Sequence, residues 1–475
     1  MPPRSFSRFF NKSRYPDEPA MIVPRTRLLL WTSIIVLPFA LAAGLERSAL
    51  AISLSAIAGF AVLAVLDAVG SLTSLRGINL MLPLLTRMSR DRPSKVELRI
   101  QNQQQTPKTI RLSLTLPSEI HASEPDASIA LPEGSEWSRC EWVCVPKKRG
   151  QFRAGPVWIE GTSPLGFWGL RRSFSSDAEI RVYPNLKKDR KDLAALFLRR
   201  GQLGIHSQRQ LGRGRDFEKL REYVPGDSYE EIHWKATAKR GQPITKLFQV
   251  ERTQEVYVVI DNSRLAGRTL PAAAISATRA LPSEPEATTT LERFVTAALV
   301  LGLAAEQQGD LFGLVTFSDK IGGFVRARAG KSHYNACREA LYTLQPQMVT
   351  PDFDEVCTFI RLRLRRRALV LFLTALDDPV VAENFVRSVD LIRRQHVIVV
   401  NMLQPAGVRP LFQNPNVNDV DELYEQLGGH LLWNKLREVE KILQRRGVRF
   451  SMLSDERLSA QLVSEYLAVK QRQLL

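Results

Sequence analysis

The chain has 475 residues, a length that corresponds to roughly three domains of about 150 residues each. Its 66 Lys and Arg residues outnumber 49 Asp and Glu residues, and the formal net charge of +17 suits a membrane surface, nucleic acid or an acidic protein partner. The 4 cysteines include no C-x-x-C pair, which excludes a disulfide-rich secreted scaffold. Cys140 and Cys144 share one face of a strand-like run and are interpreted as small, half-buried apolar residues.

Two apolar segments follow a basic N-terminus. Residues 28–45 carry no charge, about the minimum length of a helix that spans a bilayer core. The second segment, residues 49–70, contains Asp67 as its single charge. The tight spacing predicts a helical hairpin, and the basic residues on both outer flanks predict that the N-terminus and the soluble part are cytoplasmic. We assign residues 1–92 to this basic N-terminus and transmembrane hairpin.

Two other interpretations of this region are disfavoured. A buried helical hairpin of a soluble protein would have a polar face, and neither segment has one. A cleaved signal peptide is disfavoured, because a second apolar segment arrives where soluble sequence would be expected. Asp67 is either an intramembrane functional carboxylate or, as we favour, a residue at the cytoplasmic interface of the bilayer.

The middle of the chain has the pattern of short strands. Apolar and polar residues alternate over 96–100, 110–116 and 137–145, between Pro, Gly, Ser and Asn residues. This pattern predicts a small antiparallel β-sandwich over residues 93–184. Residues 185–253 are assigned to a basic linker followed by a signature segment, Gly212 to Arg240, in which charge and aromatic residues are dense.

Strands and helices alternate from residue 254 to residue 475. Val256 to Ile260 has the continuous apolar character of a strand that is buried on both faces of a parallel sheet. Helix patterns follow, among them 291–308 and 431–445, with further strand patterns between them. The alternation predicts a doubly wound α/β domain.

The signature segment contains its own turn and helix signals. Pro225 and Gly226 form a typical turn pair. Ser228 and Glu231 have the spacing of a capping box, which predicts that a helix starts there, and Gly241 should end that helix.

A candidate metal site follows the first strand of the α/β region. Asp261 and Ser263 stand two residues apart at the end of that strand, where two oxygens can face one hard cation. Strand, Asp-x-Ser and helix resemble the von Willebrand factor A fold with its metal-ion-dependent adhesion site, which implies Mg²⁺. That pattern continues with a second Ser, a Thr and a second Asp. Here Leu265 takes the place of the Ser, Ser332 is the nearest polar match to the Thr, and Ala375 takes the place of the Asp, with Asp377 or Asp378 as substitutes. These departures favour an inherited fold with a lost or weakened metal site.

The signature segment narrows the resemblance. It is similar to the signature of domain-of-unknown-function family 58, bacterial membrane-anchored proteins with a von Willebrand factor A-like domain. The residues that carry the likeness and are assigned to partner binding are Arg213, Arg215, Asp216, Arg221, Glu222, Tyr223, Pro225, Gly226, Asp227, Trp234 and Lys235. The resemblance implies the inner membrane of a bacterium and a MoxR-type AAA+ ATPase partner in envelope protein assembly or maturation.

Structure and binding compete as explanations of this segment. Phe217, Leu220, Tyr223, Ile232 and Trp234 are expected to pack it onto the α/β domain. The alternative is a docking face for an acidic partner, formed by Arg213, Arg215, Arg221, Lys235, Lys239 and Arg240. His233 has no nearby nucleophile, so a capping or surface role is favoured over catalysis.

Two functional hypotheses from different classes result. The first is a membrane-anchored adaptor without catalysis or cofactor. The second is a metal-dependent enzyme that uses Asp261, Ser263 and Asp377 or Asp378. Specific nucleic-acid binding is not expected, because the basic run over 361–367 lacks the interleaved aromatic residues that stack on bases.

Overall fold

The structure is a computed structural model that describes residues 10–12, 20–45, 49–199, 210–224, 228–250, 254–270, 288–411, 419–454 and 458–471. The chain divides into two compact units, residues 1–185 and 186–475, and each is described by itself. The boundaries assigned from the sequence within these units remain predictions.

The first unit contains the two apolar helices expected from the sequence. Helix α1 is Thr26–Leu45 and helix α2 is Leu50–Ser71, and both are long and apolar enough to cross a membrane. No residue of α1 is buried, and α2 buries only Ser53, Ala64, Asp67 and Ser71. The apolar side chains of both helices therefore face outward, as lipid-facing side chains do.

The strands of the first unit are β1 (Phe10–Lys12), β2 (Met21–Pro24), β3 (Ile78–Pro83), β4 (Leu85–Ser89), β5 (Ser94–Asn102), β6 (Lys108–Leu114), β7 (Ile120–Ala122), β8 (Asp126–Leu131), β9 (Trp137–Pro146), β10 (Gly150–Arg153), β11 (Val157–Thr162), β12 (Trp168–Phe174) and β13 (Glu179–Tyr183). They form sheets in the orders β1-β3-β5-β9-β7, β2-β12-β11-β6-β8 and β10-β13-β4. The alternating pattern of the sequence accounts for the core, because one face of strands such as β3, β5 and β6 is buried. Val96, Leu98 and Ile100 of β5 share a core with Ile110 and Leu112 of β6.

Three features of this unit differ from the sequence expectation. Strand β2, from the basic N-terminus, pairs with β12, and β3 and β4 precede residue 93. The pair β4 and β13 is parallel, unlike the expected antiparallel arrangement. These pairings join segments far apart in the chain, and a long connection allows parallel pairing, so no local pattern indicates them.

Cys140 and Cys144 behave as the small apolar residues inferred from the sequence. Cys144, Cys337 and Cys357 are buried and Cys140 is half-buried. Burial raises the pKa of Cys144 to about 11 and that of Cys337 to about 12, and burial also raises the pKa of Cys357. We expect a maleimide at pH 8 to label Cys140 alone in the folded protein, because its thiol is half-exposed and the other three thiols are buried. Peptide mapping after labelling checks this, and fast labelling of Cys357 would contradict the structure.

The second unit contains helices α3 (Lys187–Arg199), α4 (Trp234–Arg240), α5 (Thr290–Gln307), α6 (Lys331–Leu341), α7 (Phe353–Arg363), α8 (Pro379–Ser388), α9 (Val420–Arg445) and α10 (Leu458–Gln471). Its strands are β14 (Gln210–Glu222), β15 (Ile244–Val250), β16 (Glu255–Asp261), β17 (Leu311–Phe317), β18 (Ile321–Arg328), β19 (Leu369–Leu373), β20 (Val397–Leu403) and β21 (Arg449–Leu453). Strands β14 and β15 form a separate antiparallel pair.

A six-stranded sheet of order β18-β17-β16-β19-β20-β21 organises the second unit. All its pairs are parallel except the edge pair β17 and β18, which is antiparallel. One face packs on α5 and α10, and the other on α7 and α8. Because both faces are covered, β16 and β19 are almost wholly apolar.

A buried polar cluster lies at the amino end of β17. Asp310 is 1% exposed, and its Oδ2 accepts hydrogen bonds from Tyr466 Oη and from Lys470 Nζ at 2.7 Å. Its Oδ1 accepts from the backbone N–H of Gln254 at 3.1 Å. Burial raises the pKa of Tyr466, and the charge of Asp310 raises it further. This cluster ties α10 to the amino ends of β16 and β17.

Helix α9 begins well before the expected residue 431. Gly428 and Gly429 favour a break, yet the helix runs through them. A Cβ on Gly429 would lie 2.1 Å from the Gly407 carbonyl oxygen, so this glycine permits close packing of the helix on a neighbouring loop. Asp419 caps the helix, and its carboxylate accepts from the Val420 N–H at 2.6 Å.

The capping box predicted at Ser228 is wrong. Ser228 precedes a short 3-10 helix, Tyr229–Glu231, and its side chain makes no capping hydrogen bond. Helix α4 begins only at Trp234, and His233 Nδ1 accepts from the Ala236 N–H at 3.0 Å. The capping role favoured for His233 is therefore confirmed. Gly241, with φ of 71°, ends the helix as predicted.

Candidate functional site

The order of the six-stranded sheet indicates where a ligand would bind. Strands β16 and β19 are parallel neighbours at the centre of the sheet. The strands that follow β16 in the chain, β17 and β18, lie on one side of this pair, and the strands that follow β19, β20 and β21, lie on the other side. In open α/β sheets, ligands bind outside the carboxyl ends of the strands where the order reverses. Asp261 ends β16, and Thr374 follows β19 directly. The residues chosen from the sequence thus stand at the switch point of this sheet.

The Asp261 carboxylate is buried and holds the loop that follows it. Its Oδ1 accepts from the Ser263 N–H at 2.8 Å, and its Oδ2 accepts from Thr374 Oγ1 at 2.7 Å. Burial raises the pKa of Asp261, and the hydrogen bond from Thr374 opposes that rise. Both oxygens therefore have protein donors that join the ends of β16 and β19.

The residues after Asp261 contribute few further oxygens. Ser263 is fully buried, and Leu265, in the place of the second Ser, is 3% exposed within a 3-10 helix, Arg264–Gly267. Ser332, the nearest match to the Thr of the adhesion-site pattern, lies exposed in the first turn of α6.

Each of the two later aspartates has an arginine partner. Asp377 forms an ion pair with Arg268 Nη1. Asp378 caps α8 by accepting from the Val380 N–H at 3.0 Å, and Arg264 Nη2 lies 3.7 Å from its Oδ2. The described part of the chain contains no group of three or more His, Cys, Asp or Glu residues able to hold a metal. Because a hard cation needs about six oxygen ligands, this donor set fits it poorly. The assignment of Asp261, Ser263 and Asp377 to a metal stays a prediction.

A cavity of about 560 Å³ lies beside the switch point. Asn262 lines it together with Leu314 and Thr316 of β17, residues 322–325 of β18 and residues 340, 341 and 343–347. None of the described side chains that line it is ionisable. General acid–base catalysis uses a titratable group within hydrogen-bond reach of the substrate, and the walls of this cavity offer none.

The signature segment presents exposed aromatic and basic side chains. Tyr229 is 75% exposed and Trp234 is 68% exposed. Lys235, Lys239 and Arg240 are exposed on α4 with Trp234. We call these five residues the signature surface. The expected packing of Trp234 and Leu220 onto the domain is wrong, because α4 buries no residue and Leu220 is 39% exposed.

The other signature residues divide between described and undescribed positions. Ile232 is buried, as expected, and the Tyr223 ring stacks on the Tyr229 ring at 6.0 Å. Arg221 and Glu222 end β14. The remaining predicted residues lie in the part of the chain whose side chains or backbone are outside the described residues: Arg213, Arg215, Asp216, Phe217, Pro225, Gly226 and Asp227.

Many solved structures are similar to part of this chain, and three of them are described here. The SpRpn10 VWA domain is 10% identical and matches 45% of this chain and 95% of its own, with a TM-score of 0.26. An aerotolerance-related membrane protein from Bacteroides fragilis is 14% identical over 46% of this chain and 97% of its own, with a TM-score of 0.26. The conserved hypothetical protein BatB from Bacteroides thetaiotaomicron is 15% identical over 45% of this chain and 99% of its own, with a TM-score of 0.25.

No curated protein matches the chain. A family model described as "Protein of unknown function DUF58" matches residues 219–411, which include the later half of the signature segment and the switch point. The match confirms, over residues 219–411, the resemblance to this family that was stated from the signature residues.

Proposed function

We propose that the chain is a membrane-anchored, non-catalytic interaction protein whose α/β unit binds an acidic protein partner. Helices α1 and α2 supply the anchor, since both are apolar and long enough to span a bilayer. Basic residues on the outer flanks of the hairpin support a cytoplasmic α/β unit at the inner membrane of a bacterium.

The signature surface carries the proposal. Exposed Trp and Tyr side chains are rare on surfaces that remain in water, and Trp, Tyr and Arg dominate the energy of protein interfaces. Here Trp234 shares α4 with three basic side chains and no acidic one, while Tyr229 lies in the preceding 3-10 helix next to exposed Glu230. Positive charge around aromatic anchors suits a partner with an acidic rim around an apolar pocket.

A MoxR-type AAA+ ATPase is the proposed partner, in envelope protein assembly or maturation. The family resemblance supports this partner, and this chain lacks a Walker sequence of its own. The test is affinity purification of the full chain from native membranes, with mass spectrometry of the bound proteins. Recovery of an AAA+ ATPase is expected, and repeated purifications without one would contradict the partner assignment.

A metal-dependent enzyme is the second candidate, because Asp261, Ser263 and Thr374 bring oxygen-bearing side chains to the switch point. The arginine partners of Asp377 and Asp378 argue against it. We expect calorimetric titration of Mg²⁺ into the full chain to give no heat of binding. Heat that disappears in Asp261→Asn, a variant of the same shape, would favour the enzyme instead.

A further inference from the structure

Asp67 is buried although it belongs to a helix with outward-facing apolar side chains. It is 4% exposed, while its neighbours Leu66 and Val69 are 67% and 60% exposed. The Asp67 carboxylate accepts three hydrogen bonds from the turn at residues 163–168, which precedes and begins β12. Their donors are Ser163 Oγ at 2.6 Å, the Leu165 N–H at 2.8 Å and the Phe167 N–H at 3.2 Å. This turn therefore covers the charge.

The same turn contacts α2 at two further levels. The Trp168 indole N–H donates to the Ala64 carbonyl at 2.8 Å, and the Phe167 ring lies 5.9 Å from the Phe60 ring. Positions 60, 64 and 67 follow one face of a helix. Seven residues correspond to about 10 Å along the helix axis, so the turn lies along two turns of α2.

Arg25 contacts the same turn and the strand that precedes it. Arg25, just before α1, donates its backbone N–H to the Phe167 carbonyl at 2.8 Å. Its guanidinium lies 3.1 Å from Glu160 and 3.1 Å from Thr162 Oγ1, both of β11. Arginine at the end of a membrane helix places its charge at the headgroup level. The start of α1 is therefore joined to the turn and to β11.

The length of α2 decides where the turn lies. Its 22 residues extend about 33 Å, and the hydrocarbon core is about 30 Å thick. Only about 3 Å of the helix can project beyond that core, whereas Ala64 is roughly 10 Å from the last residue, Ser71. The groups that contact Ala64 and Phe60 are therefore below the surface of the bilayer.

We propose that the turn at residues 163–168 inserts into the bilayer boundary, with Leu165 among the lipid acyl chains. Leu165 is 48% exposed beside the exposed side chains of α2, so its apolar surface continues that of the membrane helix. The Asp67 carboxylate accepts the hydrogen bonds of three polar groups of the turn and so holds the turn against α2. This inference rests on the proposed membrane anchoring. It gives the first unit a contact with lipid in addition to the contact made by helices α1 and α2.

Spin labelling of the full chain in phosphatidylethanolamine–phosphatidylglycerol vesicles tests the proposal. Single cysteines are introduced into a Cys140→Ser background at Leu165, at Leu30 on α1, or at Glu133. Glu133 follows β8, which lies at the opposite edge of its sheet from β2. Oxygen enters lipid and a water-soluble nickel chelate does not. Oxygen is expected to speed the relaxation of the spin label at residue 165, as it does for the label at residue 30. The nickel chelate is expected to speed the relaxation of the label at residue 133.

The outcomes separate the inference from the anchoring. A nickel-accessible label at 165 beside a lipid-embedded label at 30 overturns the inserted turn and leaves the anchor intact. A nickel-accessible label at 30 overturns both. In Asp67→Ala, the label at 165 is expected to move toward water, because three donors of the turn lose the carboxylate that accepts their hydrogen bonds. An unchanged label at 165 would contradict the role given to Asp67.

Discussion

Trp234→Ala is expected to lower the affinity for the proposed ATPase partner by about 30-fold. Truncation of an interface tryptophan of the hot-spot kind costs about 2 kcal/mol, and 1.4 kcal/mol is a factor of ten. The folded structure should be unaffected, because α4 buries no residue and Trp234 is 68% exposed. Surface substitutions of this kind change stability by about 0.5 kcal/mol or less.

Binding of purified ATPase in solution to the immobilised chain measures this effect. Thermal denaturation gives the melting temperature of each variant. The matched control is Trp137→Ala, on β9 in the other unit, where the side chain is 45% exposed. Equal binding by Trp234→Ala and the unchanged protein would remove the signature surface as the docking site. A loss of binding together with a lower melting temperature would indicate that Trp234 acts through the fold.

Asp310→Ala is expected to destabilise the α/β unit by about 3–5 kcal/mol, the cost of leaving one member of a buried ion pair uncompensated. Lys470 is 8% exposed and would keep Gln308 O, at 3.2 Å, as its remaining acceptor. The Tyr466 hydroxyl and the Gln254 N–H would also lose their acceptor.

Urea denaturation of the full chain in detergent micelles measures the free energy of unfolding. Glu438→Ala, an exposed acidic residue of α9, is the control and should change it little. Adding Lys470→Met to Asp310→Ala should restore part of the loss, because the second change removes the unpaired charge. Equal effects of Asp310→Ala and Glu438→Ala would contradict the buried cluster.

Much of the α/β unit follows from local pattern. Val256 to Ile260 is a short, unbroken run of β-branched and aromatic residues, which is typical of a strand covered on both faces. The predicted start of helix α9 is too late, because a glycine that allows close packing has the same sequence signal as a glycine that breaks a helix.

The candidate site was only half predictable. Asp261 and Ser263 stand at the end of a recognisable strand, which placed them at the correct edge of the sheet. Thr374 was not identified, because its hydrogen bond to Asp261 joins residues 113 apart and requires that β16 and β19 be neighbours. Arg264 and Arg268 were missed for the same reason, since their carboxylate partners follow β19.

Exposure was the least predictable property. An aromatic residue in a helix usually indicates a buried face, so Trp234 was expected to pack on the domain. The seven residues of α4 are too few to show a periodic apolar face, and the sequence offered no other guide.

The parallel direction of β16 and β17 has an evolutionary consequence. Asp310 precedes one end of the sheet and Asp261 lies at the other, separated by seven-residue strands of roughly 23 Å. Substitutions so far apart act additively on stability, because they share no contacts. A lineage can therefore remodel the loops at the carboxyl edge, and with them any recognition of new partners, while the cluster at the amino edge preserves the fold.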